Sequence, residues 1–371
     1  MPFRVRSRTG GDFVGSGMIG LVPISRNVPS YTHSCEDTTG PQPYLPHPLL
    51  ITKAQSGTMV LNGSNGLVGV AQRSASNLPS SYGTPVATFP TLSSDLEFAT
   101  HARAVRNPAT AHVSIPNFLF EFKDLPGMLR RAGNSLLNRA AGDYLSLSFG
   151  WIPLISDLKK LSEFTSALER KKKQLRSLQQ KGGIRTKYTA NKEGETITEA
   201  GDLLIESQVA TVFGQRRTTS NRKRWAVNRW QSNLDPFLMS DHKAMSDLAI
   251  QHTLGLHGSH LTINIWNGLP WSWLIDYFAS VGDFLTASNN SVAYVVGDIT
   301  SVMTHTRHES HVSVTANLDP WITVQELQGA IVETKKRNIV SGLSPITASL
   351  PVLSGRQLAN LAAIGAKYAR F

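Results

Sequence analysis

The sequence has very little cysteine and no long uninterrupted hydrophobic run. A single cysteine, Cys35, stands among the 371 residues, which excludes an intramolecular disulfide and a zinc site built from several thiolates. The most apolar stretch, residues 261–281, is interrupted by Asn264 and Pro270, whereas a membrane-spanning helix needs about 20 consecutive apolar residues. These absences exclude a disulfide-stabilised secreted scaffold and argue against stable membrane insertion.

Common catalytic and metal-binding motifs are missing as well. The sequence contains no Walker loop, no G-x-S-x-G elbow and no H-E-x-x-H motif. His305, His308 and His311 are spaced three apart, but their flanks predict a strand or turn, in which this spacing directs side chains to alternating faces. We therefore expect no metal ion, no cofactor and no catalytic residue.

Positive charge is abundant, and it accompanies a normal hydrophobic content. The 37 Lys and Arg residues outnumber the 26 Asp and Glu residues, which gives a net charge of +11, and 40% of residues are hydrophobic. That hydrophobic fraction predicts a folded core and excludes a disordered polybasic chain. Excess positive charge on a folded surface favours polyanionic partners, with nucleic acid first and anionic membranes second.

Hydrophobic patterning divides the chain into alternating sheet-rich and helical regions. Apolar residues at three- and four-residue steps from Trp151 to Leu178 predict a long amphipathic helix that ends at Gly182-Gly183. We predict an α+β fold in which a helical-bundle region joins a sheet-rich region and the chain crosses between them several times. The predicted regions are sheet-rich 1–120, helical bundle 121–183, a sheet-rich basic insertion 184–235, helical bundle 236–290, sheet-rich 291–345 and a C-terminal bundle helix 346–371.

Basic residues form several clusters that we predict to contact RNA. The densest run, residues 214–230, interleaves cations and hydroxyl groups with tryptophans, and such cations suit phosphates while flat aromatic faces suit unpaired bases. An alternative interpretation of this run is a solvated edge strand whose charges discourage aggregation. The predicted RNA-binding residues are Arg130, Arg131, Lys171, Lys172, Lys173, Arg176, Arg216, Arg217, Arg222, Lys223, Arg224, Trp225, Arg229, Arg356, Lys367 and Arg370.

Two segments carry distinctive combinations of residues. Residues 149–157 read Phe-Gly-Trp-Ile-Pro-Leu-Ile-Ser-Asp, and residues 269–283 follow the pattern hydrophobic-P-aromatic-S-(three hydrophobic)-D-aromatic, with V-G after it. The first segment resembles the F-G-W-hydrophobic-P-L-hydrophobic-S-D signature of the maturation (A) proteins of the single-stranded RNA bacteriophages, and the second is similar to another segment of that family. The signature residues in this sequence are Phe149, Gly150, Trp151, Pro153, Asp157, Pro270, Trp273, Asp276 and Gly282.

The resemblance implies a virion protein without enzymatic activity, made in the host bacterial cytoplasm and carried as one monomeric copy per particle. It implies that the protein replaces a coat-protein dimer in the capsid, binds stem-loops in the 3′ region of the phage genomic RNA and attaches the particle to a bacterial pilus for genome entry. It also implies an elongated α+β body, with a helical bundle that faces the RNA and a receptor surface on the sheet-rich part, including residues 1–120. The signature residues would then pack the bundle, and residues 145–151 would be helical.

A second function class stays open from the residues alone. A nucleic-acid-processing enzyme such as a nuclease needs paired carboxylates that hold a metal ion. Asp276 and Asp283 lie seven residues apart on what the pattern predicts to be one helix, although each stands beside bulky apolar residues. Pairing or capping within the bundle is the competing explanation for Asp276.

Overall fold

The computed structural model combines α-helices with antiparallel β-strands, which confirms the predicted α+β class. Its chain forms two compact units, each assembled from three segments. The structure describes residues 3–19, 22–40, 45–55, 57–63, 68–73, 89–112, 114, 144, 147–148, 152, 155–156, 159–160, 163–190, 192–198, 203–206, 211–235, 241–257, 261–268, 272–317, 322–328, 330–346 and 354–368.

Strands and helices alternate in blocks along the chain. The strands are β1 (Phe3–Ile19), β2 (Val22–Thr38), β3 (Leu49–Gln55), β4 (Gly57–Gly63), β5 (Val68–Arg73), β6 (Ile184–Thr189), β7 (Glu193–Thr198), β8 (Leu203–Glu206), β9 (Thr211–Ser232), β10 (Ala293–Asn317), β11 (Ile322–Gln328) and β12 (Ala330–Ser341). The helices are α1 (Asp95–Val105), α2 (Phe164–Gln180), α3 (His242–Thr253), α4 (Leu261–Gly268), α5 (Ser272–Ile275), α6 (Val281–Ser288) and α7 (Gly355–Tyr368).

The first unit comprises Met1–Asp95, Thr189–Ala226 and Ser301–Val340 and consists mainly of strands. Its strands run in the order β1-β2-β3-β12-β10-β9, and β7 and β8 also pair with β9. A separate three-stranded sheet has the order β11-β4-β5. Half-buried and exposed side chains alternate along β7, because successive side chains of a pleated strand point to opposite faces.

The second unit comprises Leu96–Tyr188, Val227–Thr300 and Ser341–Phe371 and holds most of the helical residues. Helix α2 packs against α3. Trp230 is fully buried, and its indole N–H donates to Thr186 Oγ1 at 2.7 Å, which satisfies the one polar atom of this large apolar ring. The described core residues are Ala109, Leu175, Leu178, Trp230, Met245, Ala249, Val292, Ala293 and Val295.

Helix α2 ends where the glycine pair predicts, but one residue of the predicted apolar face before the helix is exposed. Gly182 has φ = 62°, a conformation that glycine adopts without steric cost and that commonly follows a helix. The predicted apolar face is wrong at Ile155, which is 60% exposed. Ile155 precedes α2, which begins at Phe164. The other residues predicted for this face before Phe164 lie outside the described residues: Trp151, Leu154, Leu158 and Leu161.

The apolar stretch after residue 260 folds as three short helices, α4, α5 and α6. The prediction that Asp276 and Asp283 share one helix is therefore wrong, because α5 ends at Ile275 and α6 begins at Val281. Ser280 and Gly282 lie at this break and are weak helix formers. Within the described ranges, no helix has both the length and the apolarity that crossing a membrane requires.

Candidate nucleic-acid interface

The cation run of α2 is split between the helix surface and the interior. The buried residues of the helix are Ala167, Lys171, Leu175 and Leu178, and their three- and four-residue spacing puts them on one face. The exposed cations of the helix are Arg170, Lys173 and Arg176. Lys172 is partly buried and pairs with Glu169 at 3.2 Å. The helical period thus places Lys171 on the buried face, although the run of cations around it is typical of a solvated helix face.

Lys171 is held inside the second unit by backbone oxygens. Its side chain is 8% exposed, and Nζ donates to Pro108 O at 2.7 Å and to Thr110 O at 3.0 Å. Burial lowers the pKa of Lys171 to about 8, because a low-dielectric surrounding disfavours the charged ammonium. Among the described residues no carboxylate pairs with it, so the charge is solvated by carbonyl dipoles alone.

A cavity of about 480 Å³ opens beside Lys171 and is lined by groups that donate hydrogen bonds. Arg170, Lys171 and Lys173 bring three cationic groups to it, and no acidic residue belongs to its described lining. Its other polar lining residues are His112, Gln174 and Ser177. A lining that combines three cations with no described carboxylate is suited to an anion.

His112 is another residue of the cavity lining. Its backbone N–H donates to Thr253 O at 3.1 Å, which fixes the segment before it beside α3. Its Nε2 atom is buried and has no hydrogen-bond partner among the described residues. A buried polar atom without a partner is uncommon and calls for an explanation. No motif in the sequence singles out this histidine.

Two arginines of the densest basic run are occupied within the first unit. Arg222 donates to Glu193 Oε2 at 2.5 Å, and its guanidinium lies 4.7 Å from the centroid of the Phe89 ring. Arg224 is 5% exposed, pairs with Asp95 and donates to Ser93 O at 2.9 Å. Their cations therefore tie strand β9 to neighbouring segments of the chain. This is closer to a structural role than to the open phosphate-binding surface that we predicted.

The remaining predicted RNA contacts are spread over several elements. Arg217 and Lys223 are exposed on β9, Arg229 and Trp225 are partly buried on the same strand, and Arg356 is exposed on α7. Five others lie outside the described residues, wholly or in their side chains: Arg130, Arg131, Arg216, Lys367 and Arg370. RNA contact by each of these residues stays a prediction.

The second signature segment contains a structural contact between its aspartate and its glycine. Asp276 accepts from Trp266 Nε1 at 3.0 Å and from the Gly282 backbone N–H at 3.0 Å. A Cβ atom at Gly282 would lie 2.9 Å from the Asp276 carboxylate. The Asp276 carboxylate thus satisfies an N–H in the first turn of α6, which favours pairing or capping over acid–base work as the explanation for this residue.

The other signature residues cannot be compared with the prediction that they pack the bundle. They lie outside the described residues, Trp273 through its side chain: Phe149, Gly150, Trp151, Pro153, Asp157, Pro270 and Trp273. Leu147 and Ser148, the two described residues of the 145–151 segment, have helical geometry.

Asp283 is paired with a histidine that sequence reasoning missed. Asp283 Oδ2 lies 2.5 Å from His101 Nδ1, and Tyr188 OH lies 3.2 Å from His101 Nε2. The carboxylate raises the pKa of His101, because it stabilises the imidazolium. Since 182 residues separate the two partners, no local pattern indicates the pair.

A metal-dependent nuclease finds no support in this geometry. Asp276 and Asp283 are each engaged in their own hydrogen bonds. Over the ranges that the structure describes, no group of three or more His, Cys, Asp or Glu residues is arranged to hold a metal ion. His305, His308 and His311 contact Glu333, Ser220 and Glu309 respectively.

Comparison with known families agrees with the signature segments. A sequence model described as phage maturation protein matches residues 130–339, which is more than half of the chain. Both signature segments, helix α2 and strand β9 lie inside the matched range. No curated protein matches the chain. The extent of the match, added to the two signature segments that lie within it, shows that the chain belongs to the phage maturation protein family.

Proposed function

We propose that this maturation protein binds the 3′ region of its phage genomic RNA, with the α2 face of the second unit as a principal contact. The observation that supports this proposal is the cavity beside α2, where three cationic side chains meet without a described carboxylate. Free cations attract the phosphate backbone, and each phosphate that they neutralise releases counterions. The β9 arginines are weaker candidates because Arg222 and Arg224 already have protein partners.

The salt dependence of RNA binding tests this proposal. Each phosphate contact contributes roughly −0.7 to −0.9 to the slope of log affinity against log salt. A triple variant, Arg170→Gln/Lys173→Gln/Arg176→Gln, should therefore make the slope shallower by about 2 to 3 units. Binding should be measured on a transcript of the genomic 3′ region and on an unrelated RNA of equal length. Wild-type protein should prefer the genomic transcript.

A matched charge control separates a local interface from general positive charge. The variant Lys192→Gln/Lys243→Gln/Lys336→Gln removes the same charge from exposed lysines elsewhere in the chain. This control should keep most of the wild-type slope. Equal losses in the two triple variants, or equal wild-type affinity for both transcripts, would reduce the protein to a nonspecific polycation.

The protein's role in the particle is the second part of the proposal. We propose that one copy replaces a coat-protein dimer in the capsid and that the sheet-rich part, including residues 1–120, attaches the particle to a bacterial pilus. Phe3 and Val5 of β1 support the attachment surface, since they are 63% and 60% exposed, and exposed apolar groups favour protein contacts.

Particles that carry surface variants test this attachment. Phe3→Ser/Val5→Ser should lower particle adsorption to pili while leaving particle assembly and RNA content unchanged. Leu256→Ser/Ile265→Ser is a matched control, because these residues are also exposed apolar side chains but belong to the second unit. Unchanged adsorption of the β1 variant would contradict this placement, and more than one copy per particle by quantitative mass spectrometry would contradict the stoichiometry.

A further inference from the structure

The ammonium of Lys171 has an incomplete set of partners. Two carbonyl oxygens, Pro108 O and Thr110 O, accept from it at 2.7 and 3.0 Å. A lysine ammonium has three N–H donors, and in the described part of the chain the third has no acceptor. A buried cation without a counter-charge is costly unless another group compensates it. Lys171 is 8% exposed, so bulk water supplies little of that compensation.

The cavity wall repeats this shortage of negative charge. Neither Arg170 nor Lys173 forms an ion pair with any described carboxylate, and His112 Nε2 is buried without a described partner. The hydroxyl of Ser177 and the amide of Gln174 complete the polar lining. The hydrogen-bond donors of the site therefore come from two chain segments. His112 belongs to the first, and the others lie on α2.

The missing partner has a definable chemistry. It must carry negative charge and several acceptor oxygens, because the lining brings three cations together with further groups that can donate hydrogen bonds. A phosphate group meets both conditions, and arginine and lysine side chains bind it through charge-assisted hydrogen bonds. The cavity volume of about 480 Å³ exceeds that of a lone phosphate and lies in the range of sites for nucleotide-sized groups.

We propose that this cavity seats a backbone phosphate of RNA, with Lys171 as the buried counter-charge and His112 Nε2 as a directional hydrogen-bond donor to a phosphate oxygen. This inference rests on the proposed RNA-binding function and assigns it a defined subsite. The exposed cations Arg170 and Lys173 then hold the flanking phosphodiester, while Ser177 donates its hydroxyl. A phosphate bound there also supplies Lys171 with its missing acceptor.

Binding measurements on the full chain test this phosphate site. The probes are a stem-loop transcript from the genomic 3′ region and inorganic phosphate, the latter measured as a shift in melting temperature against chloride at equal ionic strength. Lys171→Met should lower RNA affinity about tenfold or more, as expected when a hydrogen bond to a charged group is lost. Lys243→Met, an exposed lysine on α3, should change it less than twofold.

Two further variants keep the test decisive if Lys171→Met fails to fold. Ser177→Ala and His112→Phe each remove one donor from the cavity wall while leaving Lys171 in place, and circular dichroism checks that they fold. Each should lower RNA affinity severalfold. If wild type binds RNA and all three cavity variants bind it as tightly as wild type does, the phosphate site is refuted while the proposed function stands.

The phosphate probe separates the remaining outcomes. If wild type fails to bind RNA, the proposed function fails. A phosphate-specific rise in melting temperature that Lys171→Met abolishes would then assign the cavity to free phosphate and overturn RNA as its source. If phosphate also gives no rise in melting temperature in that case, the phosphate site itself is overturned.

Discussion

Raising the pH should stabilise the second unit through Lys171, and the sign follows from its lowered pKa. The pKa of Lys171 is about 8 in the folded chain and 10.5 when burial is absent. Between these values the unfolded state binds more protons, so the free energy of unfolding rises with pH. This stability is fully present above pH 10.5 and is lost as the pH falls through 8.

The structure also sets the size of the effect. Each pKa unit corresponds to about 1.4 kcal/mol, so lowering the pKa from 10.5 to about 8 is worth about 3 kcal/mol. The two carbonyl acceptors already contribute to the folded state at every pH. Lys171→Met removes the titrating group, so the stability difference between wild type and this variant should move by about 3 kcal/mol in favour of wild type between pH 7 and 10.5.

Denaturant unfolding followed by tryptophan fluorescence measures this difference, because Trp230 lies in the same described core as Leu175 of α2. Other titrating groups are common to both proteins and cancel when the two curves are subtracted. Lys243→Met, which changes an exposed lysine, should show no such pH dependence. A wild-type minus Lys171→Met difference that stays constant from pH 7 to 10.5 would refute the burial of a charged Lys171.

Three further predictions concern contacts of the second unit. Gly282→Ala should cost about 0.5–2 kcal/mol in thermal unfolding, because its Cβ would meet the Asp276 carboxylate at 2.9 Å and displace this exposed side chain from the Gly282 N–H. Gly355→Ala meets no atom within 4 Å and should not destabilise. Asp298→Asn should cost about 3 kcal/mol by leaving buried Arg103 without its counter-charge, and Arg103→Met should cost less because the carboxylate is 60% exposed. His101→Gln should remove a pH-dependent term: the raised pKa of His101 gives stability that is present below pH 6.5 and lost as the pH rises through that pKa.

Local patterns predicted the parts of the fold that depend on neighbouring residues. The end of α2 follows from Gly182, and the family follows from two short signature segments with specific order and spacing. Pairing or capping was one of two explanations that the sequence offered for Asp276, and its contact with the Gly282 N–H favours it. These features need no information about distant parts of the chain.

Charge pattern alone was less informative about the site. A run of four cations usually indicates a solvated helix face, yet Lys171 continues the buried series of Ala167, Leu175 and Leu178. That i, i+4 spacing was present in the sequence and could have identified it. The partners of Arg224 and His101 lie 129 and 182 residues away, so only the folded chain reveals them.

Crosslinking of RNA to protein inside intact particles tests the central claim most directly. Ultraviolet irradiation followed by digestion and mass spectrometry assigns each crosslinked nucleotide to a peptide. We predict that crosslinks concentrate in peptides from α2 and from the segment that contains His112, and that Arg170→Gln/Lys173→Gln/Arg176→Gln depletes them. Crosslinks confined to the β1–β2 hairpin, with none in α2, would contradict the assignment of α2 to the genome.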